Sequence, residues 1–420
     1  MRATPVSRPH QQVTRRPRSA GRRGVARRGR RVLLAGCAAA LVAVLAACGG
    51  GTSRASGGDS DGGPLLADVS PVSDPKAVTG ESTAVVADAR LDPIAHDPQP
   101  TLPATVTDTQ GTTVTVTDTS RILALDIYGS TSRIVYELGL GDNLVGRDIS
   151  SSYAEVSDLP LVTTNGHELN GEAILELAPT VIITDTSLGP WDVVLQMRDA
   201  GIPVVVVDSS RGMDNIGSLI QEVADALGVS DTGAKLAERT QQQVEAKIAE
   251  IAKIAPADGD RLRMVFLYVR GQAGVYYMFG KGSGADALIE ALGGEDVATE
   301  IGWEGMRPVN DEGLVSAQPD LILMMTKGLE SVGGVDGLLE RLPAVANTPA
   351  GEHRRIVDMD DDEILSFGPT TADVLDALAV AIYAPQAAAD AATGEDATAG
   401  SEDPAAGGVP GSGQEAPVGS

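Results

Sequence analysis

Cysteine, histidine and aromatic residues are scarce in this chain of 420 residues, which has two, four and twelve of them (seven Tyr, three Phe and two Trp). With so few cysteines, neither a disulfide framework nor a cysteine-based zinc or redox site can be built. The sequence also contains no HExxH motif, no nucleophile elbow between a predicted strand and helix, and no CxxC motif. The common signatures of metalloproteases, α/β-hydrolases and thiol oxidoreductases are therefore missing, and we expect no enzymatic activity.

The N-terminal segment has the pattern of a bacterial export signal. Residues 1–47 contain eleven arginines and no acidic residue, and their apolar stretch ends at Leu45-Ala46-Ala47-Cys48. A basic head, an apolar core and small residues at a cleavage site define such a signal, and the cysteine after that site predicts lipidation of Cys48. Cys37 follows a similar motif but lacks the apolar run before it. A transmembrane anchor is the alternative, although about 16 apolar residues are short for a span of about 20.

Basic residues are few in the rest of the chain. Cleavage before Cys48 leaves 21 basic residues against 58 acidic ones. Nucleic-acid binding requires a basic face, so we expect no nucleic-acid partner. The large negative charge instead favours solubility.

Two further segments are poor in large apolar residues. The composition of 48–98 predicts a flexible tether, and that of 385–420 predicts a disordered acidic tail. The folded part, 99–384, is long enough for two domains. We divide it into an N-terminal α/β lobe at 99–210, a bridging helical segment at 211–256 and a C-terminal α/β lobe at 257–384.

Strand and helix patterns alternate through the folded part. Thr/Val alternation in 104–108 and 113–117 predicts a β-hairpin around Gly111. The further predicted strands are 121–126, 181–185, 203–208, 263–269, 321–325 and 355–358. Such alternation predicts an α/β fold with parallel sheets covered by helices. A helix of about 25 residues from Thr232, roughly 37 Å long, would join the two Rossmann-like lobes.

Two motif-like stretches are interpreted as structural. Residues 280–285 resemble a phosphate loop, but Gly282 separates Lys281 from Ser283, so a strand-to-helix turn is favoured. The acidic run 358–363 lacks the glycine-centred loop of a calcium site, so it is interpreted as a solvated turn.

Candidate ligand-binding residues lie in loops at the ends of predicted strands. His167 precedes a predicted helix in the N-terminal lobe, and Tyr268 and Arg270 end a strand in the C-terminal lobe. Such loops are where α/β sheets bind ligands. A phenolate can ligate ferric iron, and Arg270 on the same side of the strand could donate to the Tyr268 oxygen. Surface and core roles for His167 and Tyr268 are the alternatives.

The chain resembles the substrate-binding lipoproteins of ABC importers for haem, cobalamin and siderophores, and most closely the haem-binding HmuT-type proteins of Gram-positive actinobacteria. The resemblance covers essentially all of 99–384. It rests on the lipidation motif, the Thr/Val hairpin, the bridging helix, RILALD at 121–126, LPLVTTNGHELNGEAILELAPTVIITD at 159–185, and YVRG with GSGADALIEALGG at 268–294.

The resemblance implies a class III fold with a ligand cleft between the lobes. It implies axial ligation of haem iron by His167 and Tyr268, support of the tyrosine by Arg270, and a pocket methionine at Met325. The sequence departs from the family near position 306, where an aromatic residue is expected. Here Met306 stands, with Trp303 close by, and both are assigned to the pocket.

The resemblance also implies docking through one glutamate on each lobe, Glu172 and Glu312. We therefore expect a monomeric haem receptor that works with the permease and ATPase subunits of an ABC transporter in haem-iron uptake. A lipid at Cys48 would anchor it on the extracellular face of the cytoplasmic membrane. A siderophore or corrinoid receptor of the same fold is the alternative, as is a haem relay that never meets a permease.

Overall fold

A computed structural model of the chain describes residues 62–393, so the predicted signal peptide, Cys48 and most of the predicted tail lie outside the described residues. The strands are β1 Ser82–Ala84, β2 Ala104–Thr107, β3 Thr113–Val116, β4 Ile122–Leu125, β5 Thr163–Thr164, β6 Glu168–Leu169, β7 Val181–Thr184, β8 Val204–Val206, β9 Arg263–Arg270, β10 Val275–Phe279, β11 Glu295–Asp296, β12 Met306–Pro308, β13 Leu321–Met325 and β14 Ile356–Met359. The helices are α1 Ser130–Val135, α2 Gly171–Glu176, α3 Trp191–Asp199, α4 Ile216–Ala226, α5 Ser230–Ile251, α6 Ala285–Ala291, α7 Val297–Glu300, α8 Asp311–Ala317, α9 Thr326–Val332, α10 Gly334–Arg341, α11 Pro349–Glu352, α12 Thr371–Tyr383 and α13 Pro385–Thr393.

The two predicted α/β lobes are present, each built on its own sheet. The N-terminal lobe holds a parallel sheet in the order β4-β7-β8, with the predicted hairpin β2-β3 beside it. The C-terminal lobe holds a seven-stranded sheet in the order β1-β14-β13-β9-β10-β12, with β11 beside β9. Its strands β10 and β12 run antiparallel to their neighbours. None of the helices within 62–393 is both long and apolar enough to cross a membrane.

Alternate residues of each strand enter different cores. Along β9, Met264 and Phe266 pack into the large core that α4, α5 and α12 share with the inner faces of both sheets. Val265 and Leu267 pack into a second core on the outer face of the C-terminal sheet. This period of two, expected for a strand buried on both faces, places Tyr268 on the inner face.

The helix α5 spans 22 residues, about 33 Å at 1.5 Å per residue. Its buried residues Leu236, Thr240 and Val244 recur every four positions, which forms one apolar stripe. The stripe packs against α4, and a Cβ at Gly233 would come within 2.2 Å of the Ala224 side chain. The break predicted at 228–231 lies between the two helices, where Gly228 has a φ of 72°.

Residues 62–98 are not a tether, so this part of the prediction is wrong. Strand β1 is the edge strand of the C-terminal sheet and pairs in parallel with β14. Leu66 and Val86 are buried in the large core, and the Leu66 amide donates to Asp376 on α12 at 3.1 Å. Farther on, Leu91 donates to Glu155 in the N-terminal lobe. The segment thus connects the lobes a second time, in addition to α5.

Residues 385–393 are not disordered, so this part of the predicted tail is also wrong. Residues 385–393 form α13, which packs next to α12 and β1. Ala388 is buried in the large core. Only the part beyond residue 393 lies outside the described residues.

A buried arginine fixes β1 to the C-terminal lobe, and its loss is expected to be costly. Arg355 is 2% exposed and donates to Ser82 Oγ at 2.9 Å and to the carbonyls of Ala381 and Ile382. Burial lowers the pKa of Arg355 to about 10, so it is charged at neutral pH. We expect Arg355→Met to lower the free energy of unfolding by about 3 kcal/mol or more, because buried acceptors lose their donors. Urea unfolding followed by circular dichroism measures this.

The adjacent residue provides the control. Arg354 is paired only with the exposed Asp336, and Arg354→Met should cost less than about 1 kcal/mol. Equal losses for the two variants would contradict the anchoring role of Arg355.

Candidate functional site

The carboxyl ends of strands from both lobes face one another across a cleft. Arg133, on the helix that follows β4, donates through Nη2 to the carbonyl of Asp362, in the loop that follows β14, at 3.1 Å. Ser152 of the N-terminal lobe also donates to the Asp362 carboxylate. These contacts join the N-terminal lobe to a loop of the C-terminal lobe, so the two sheets present their ligand-binding ends to the same space.

His167 ends a tight turn on the N-terminal wall of this cleft. Strands β5 and β6 pair around Asn165-Gly166-His167, and Asn165 and Gly166 have φ values of 48° and 90°. Asn and Gly are the residues that tolerate this conformation best. The His167 ring is half-buried, and its Nδ1 atom is buried without a hydrogen-bond partner.

The environment of His167 favours the uncharged ring. Burial lowers the pKa of His167 below its usual value, the positive charge of Arg270 lowers it further, and Asp361 opposes them. Arg270 and Asp361 belong to the C-terminal lobe, so charges of both lobes act on His167. A neutral imidazole with a free nitrogen is the form that ligates metal ions.

Tyr268 lies on the opposite wall, near the end of β9. Its ring stacks on Phe279 of β10, with centroids 6.1 Å apart. On the same face of the sheet, Tyr277 is its direct partner across the strands. The half-buried ring is therefore held by packing.

Arg270 contacts Tyr268, although not as the sequence predicted. Its guanidinium carbon lies 4.5 Å from the centre of the Tyr268 ring, and its Nη2 atom donates to Asp361 at 2.5 Å. Nη1 donates to the Val269 carbonyl. The expected bond to the Tyr268 oxygen is not among its contacts, because the carboxylate of Asp361 takes the guanidinium.

The structure places two of the other three residues predicted for the pocket at the cleft, and the third elsewhere. Met325 ends β13 half-buried beside Arg270, with its sulfur 3.7 Å from Nη2. Met306 is 54% exposed and pairs with Phe279 across β12 and β10, so it shares the face of Tyr268. Trp303 does not: it packs against the outer core, and its Nε1 donates to the Met278 carbonyl at 2.9 Å. Its assignment to the cleft is therefore wrong.

The acidic run after β14 is part of the cleft and not a solvated turn. Asp361 binds Arg270, and Asp362 binds Ser152 and faces Arg133. Burial raises the pKa of Asp362 to about 6 and that of Glu363 to about 7. Sequence reasoning missed the pairing because each partner is distant in the chain. The position of the acidic run at the end of a predicted strand was the sequence signal that could have placed it in the cleft.

A second polar cluster is buried at the base of the N-terminal wall. Asp126 accepts from the Thr131 amide in the first turn of α1 at 2.7 Å, while Arg211 binds Asp185 at 2.8 Å and lies 3.5 Å from Asp126. Asp148 accepts from the Asp126 amide. Within 62–393, however, no group of three or more His, Cys, Asp and Glu residues is placed to hold a bare metal ion.

This cluster makes stability depend on pH. Burial, then the charge of Asp126, raises the pKa of Asp148 to about 7. Between about pH 4 and 7 the folded protein keeps a proton that the unfolded chain has lost, so the free energy of unfolding falls as pH rises. We expect Asp148→Asn to flatten this fall by about 1 kcal/mol per pH unit, measured by urea unfolding from pH 5 to 8. The exposed Asp142→Asn should keep the original slope, and an unchanged slope in Asp148→Asn would contradict the assignment.

The predicted docking glutamates occupy equivalent places in the two lobes. Asn170 caps α2 and Asn310 caps α8 through their side-chain oxygens, and Glu172 and Glu312 stand two residues after each cap. Both helices are followed by a residue with a φ of 44°, Ala178 and Gln318. Both glutamates are exposed, and neither forms an ion pair with another described residue. Helix-start acids stabilise the helix dipole, but that role leaves these carboxylates accessible.

Comparison with known proteins defines the class. The sequence pattern described as periplasmic binding protein matches residues 127–363, which include both cleft walls. The chain belongs to this family, and its two lobes joined by α5 form the class III substrate-binding fold.

Two haem-binding proteins of known structure are similar to this chain in sequence and fold. The crystal structure of the haem-binding protein HmuT is 41% identical, with a TM-score of 0.71 over 74% of this chain and 99% of that one. The periplasmic haem-binding protein RhuT from Roseiflexus sp. RS-1 is 36% identical, with a TM-score of 0.58 over 64% of this chain and all of that one. HmuT structures also exist with alanine in place of a histidine, a tyrosine and an arginine, the last two being two positions apart.

Two further relatives are less similar in sequence. An uncharacterised ABC transporter substrate-binding lipoprotein of Bacillus subtilis, YvrC, is 25% identical over 67% of this chain and 86% of its own length. A cobalamin-binding protein of Halobacterium salinarum is 24% identical over 67% of this chain and 74% of its own length.

Proposed function

We propose that this protein binds haem in the cleft through His167 and Tyr268 and delivers it to an ABC transporter, without performing chemistry on it. The observation that carries the proposal is the pair of residues on the two walls: a histidine with a lowered pKa and a buried, unpartnered nitrogen on one wall, and a tyrosine held by Phe279 on the other. His and Tyr are both known axial ligands of haem iron. Met325 and Met306 supply apolar contacts for the porphyrin.

The likeness to haem-binding proteins supports this ligand. The residue types replaced in the HmuT variants match this pair, and Tyr268 and Arg270 have the same separation as the replaced tyrosine and arginine. A corrinoid or siderophore is the second candidate, supported by the cobalamin-binding relative.

A haemin titration tests the proposal. The chain from residue 49 to 420, which contains every described residue, should give a saturable Soret band with haemin. His167→Ala should shift or abolish it, whereas His353→Ala, at an exposed position outside the cleft, should not. Lack of a saturable complex would reject haem, and tight binding of cyanocobalamin or a ferric siderophore in its place would favour the second candidate.

We infer further that Glu172 and Glu312 dock the protein on the permease, which works with an ATPase subunit. This inference is supported by the positions of the two glutamates, which are exposed and equivalent in the two lobes. Haem-dependent growth should be lost in the double variant Glu172→Arg and Glu312→Arg, while haemin affinity stays within about twofold. Glu176→Arg, one turn farther along α2, is the control. Full growth of the double variant would favour a relay that never meets a permease.

The location follows from the predicted signal. We propose that the protein is exported, acylated at Cys48 and held as a monomer on the extracellular face of the cytoplasmic membrane. Cys48→Ser should release it from the membrane fraction, and retention of that variant would contradict the anchor.

A further inference from the structure

Arg133 is a buried cation of the cleft that its surroundings satisfy poorly. The residue is 3% exposed, and its guanidinium carbon lies 4.7 Å from the centre of the Tyr153 ring. Nη2 donates to the Asp362 carbonyl at 3.1 Å, but the nearest oxygen of the Asp362 carboxylate is 3.9 Å away. The Nε atom is buried without a partner. A guanidinium has five N–H donors and pairs best with a carboxylate in a two-bond fork, which Arg133 lacks.

The carboxylate that faces Arg133 comes from the other lobe and has other partners. Asp362 accepts from Ser152, and burial raises its pKa to about 6. The residue before it, Asp361, binds Arg270, which lies on the cleft wall opposite Arg133. One loop of the C-terminal lobe thus directs two consecutive carboxylates at two cleft arginines.

We propose that Arg133 binds a carboxylate of the ligand, in place of Asp362, and selects ligands that carry one. The inference rests on the proposed function and deepens it, because haem carries two propionates whereas the side chains of cobalamin end in amides. A ligand carboxylate can approach the buried guanidinium as a fork, and this approach would pair the charge more completely than Asp362 does. Binding would also release Asp362 from Arg133 and leave Ser152 as its partner in the N-terminal lobe.

The test compares haemin with its dimethyl ester, in which both propionates are methylated and so carry no negative charge. The chain from residue 49 to 420 should bind haemin about tenfold more tightly than the diester, the size expected for one charged hydrogen-bonded pair. Arg133→Gln should reduce that preference to about twofold, mainly through weaker haemin binding. Arg121→Gln, at the opposite end of β4 with its guanidinium on the Leu177 carbonyl, should keep the full preference.

A second variant keeps the test decisive if Arg133→Gln folds poorly. Asp362→Asn removes the competing charge, so it should increase the preference for haemin by a few fold. An unchanged preference in Arg133→Gln, or a reduced one in Asp362→Asn, would overturn the role of Arg133 and leave the haem proposal intact. Absence of haemin binding by the unmodified chain would overturn the proposed function itself, together with this inference.

Discussion

Tyr268→Phe is expected to weaken haemin binding at least tenfold, about 1.4 kcal/mol or more, and to change the visible spectrum of the complex. The substitution removes one oxygen and leaves the ring on Phe279, so the wall keeps its shape. What is lost is the only atom of Tyr268 able to ligate iron. Titration of the chain with haemin, followed in the Soret and charge-transfer regions, measures both effects.

The matched control is Tyr277→Phe. Tyr277 is the direct partner of Tyr268 on the neighbouring strand and lies on the same face of the sheet. Its oxygen has no assigned role, so the affinity and the spectrum should stay as in the unmodified chain. If both variants behaved alike, axial ligation by Tyr268 would be ruled out.

Removing residues 62–98 is expected to destabilise the whole fold, by about 5 kcal/mol or more. Burial of a Val or Leu side chain contributes about 1.5–3 kcal/mol, and this segment buries Leu66, Val86 and Leu91. Its removal also exposes β14 as a new sheet edge and leaves Asp376 without the Leu66 amide. Since small domains are stable by only about 5–15 kcal/mol, a chain that begins at residue 99 should be largely unfolded at 37 °C.

A chain that begins at residue 62 provides the comparison. It retains β1 and both connections between the lobes, so its midpoint of urea unfolding should match that of the chain from residue 49. Equal midpoints of urea unfolding for the chains that begin at residues 62 and 99 would show that residues 62–98 do not stabilise the fold.

The sequence predicted the elements whose pattern is local. The runs around Val181–Thr184 and Leu321–Met325 are continuous and apolar, as buried parallel strands require, and both are strands within a residue of the prediction. His167 and Tyr268 could be chosen because scarce residue types stood at strand ends, and the family resemblance supplied their pairing.

What the sequence could not provide depends on contacts between distant residues. Residues 62–98 have the composition of a linker, and only the insertion of a few side chains such as Leu66 into a core made by other segments reveals their role. The carboxylates of Asp361 and Asp362 likewise gain their meaning from Arg270 and Arg133, which lie 91 and 229 positions away. Trp303 was misassigned because proximity in sequence to Met306 does not fix which face of the sheet a side chain takes.

The early start of the folded body would limit how far the protein could move from a membrane to which Cys48 is anchored. Gly62 follows Cys48 by only fourteen positions, and at about 3.5 Å per position the chain between them reaches at most about 50 Å. A tether to residue 98 would have allowed roughly 175 Å. If Cys48 carries the proposed lipid, the cleft is confined to a thin layer above the bilayer. The local concentration at a membrane partner falls steeply with linker length, so the short linker would keep the receptor within frequent encounter of its transporter.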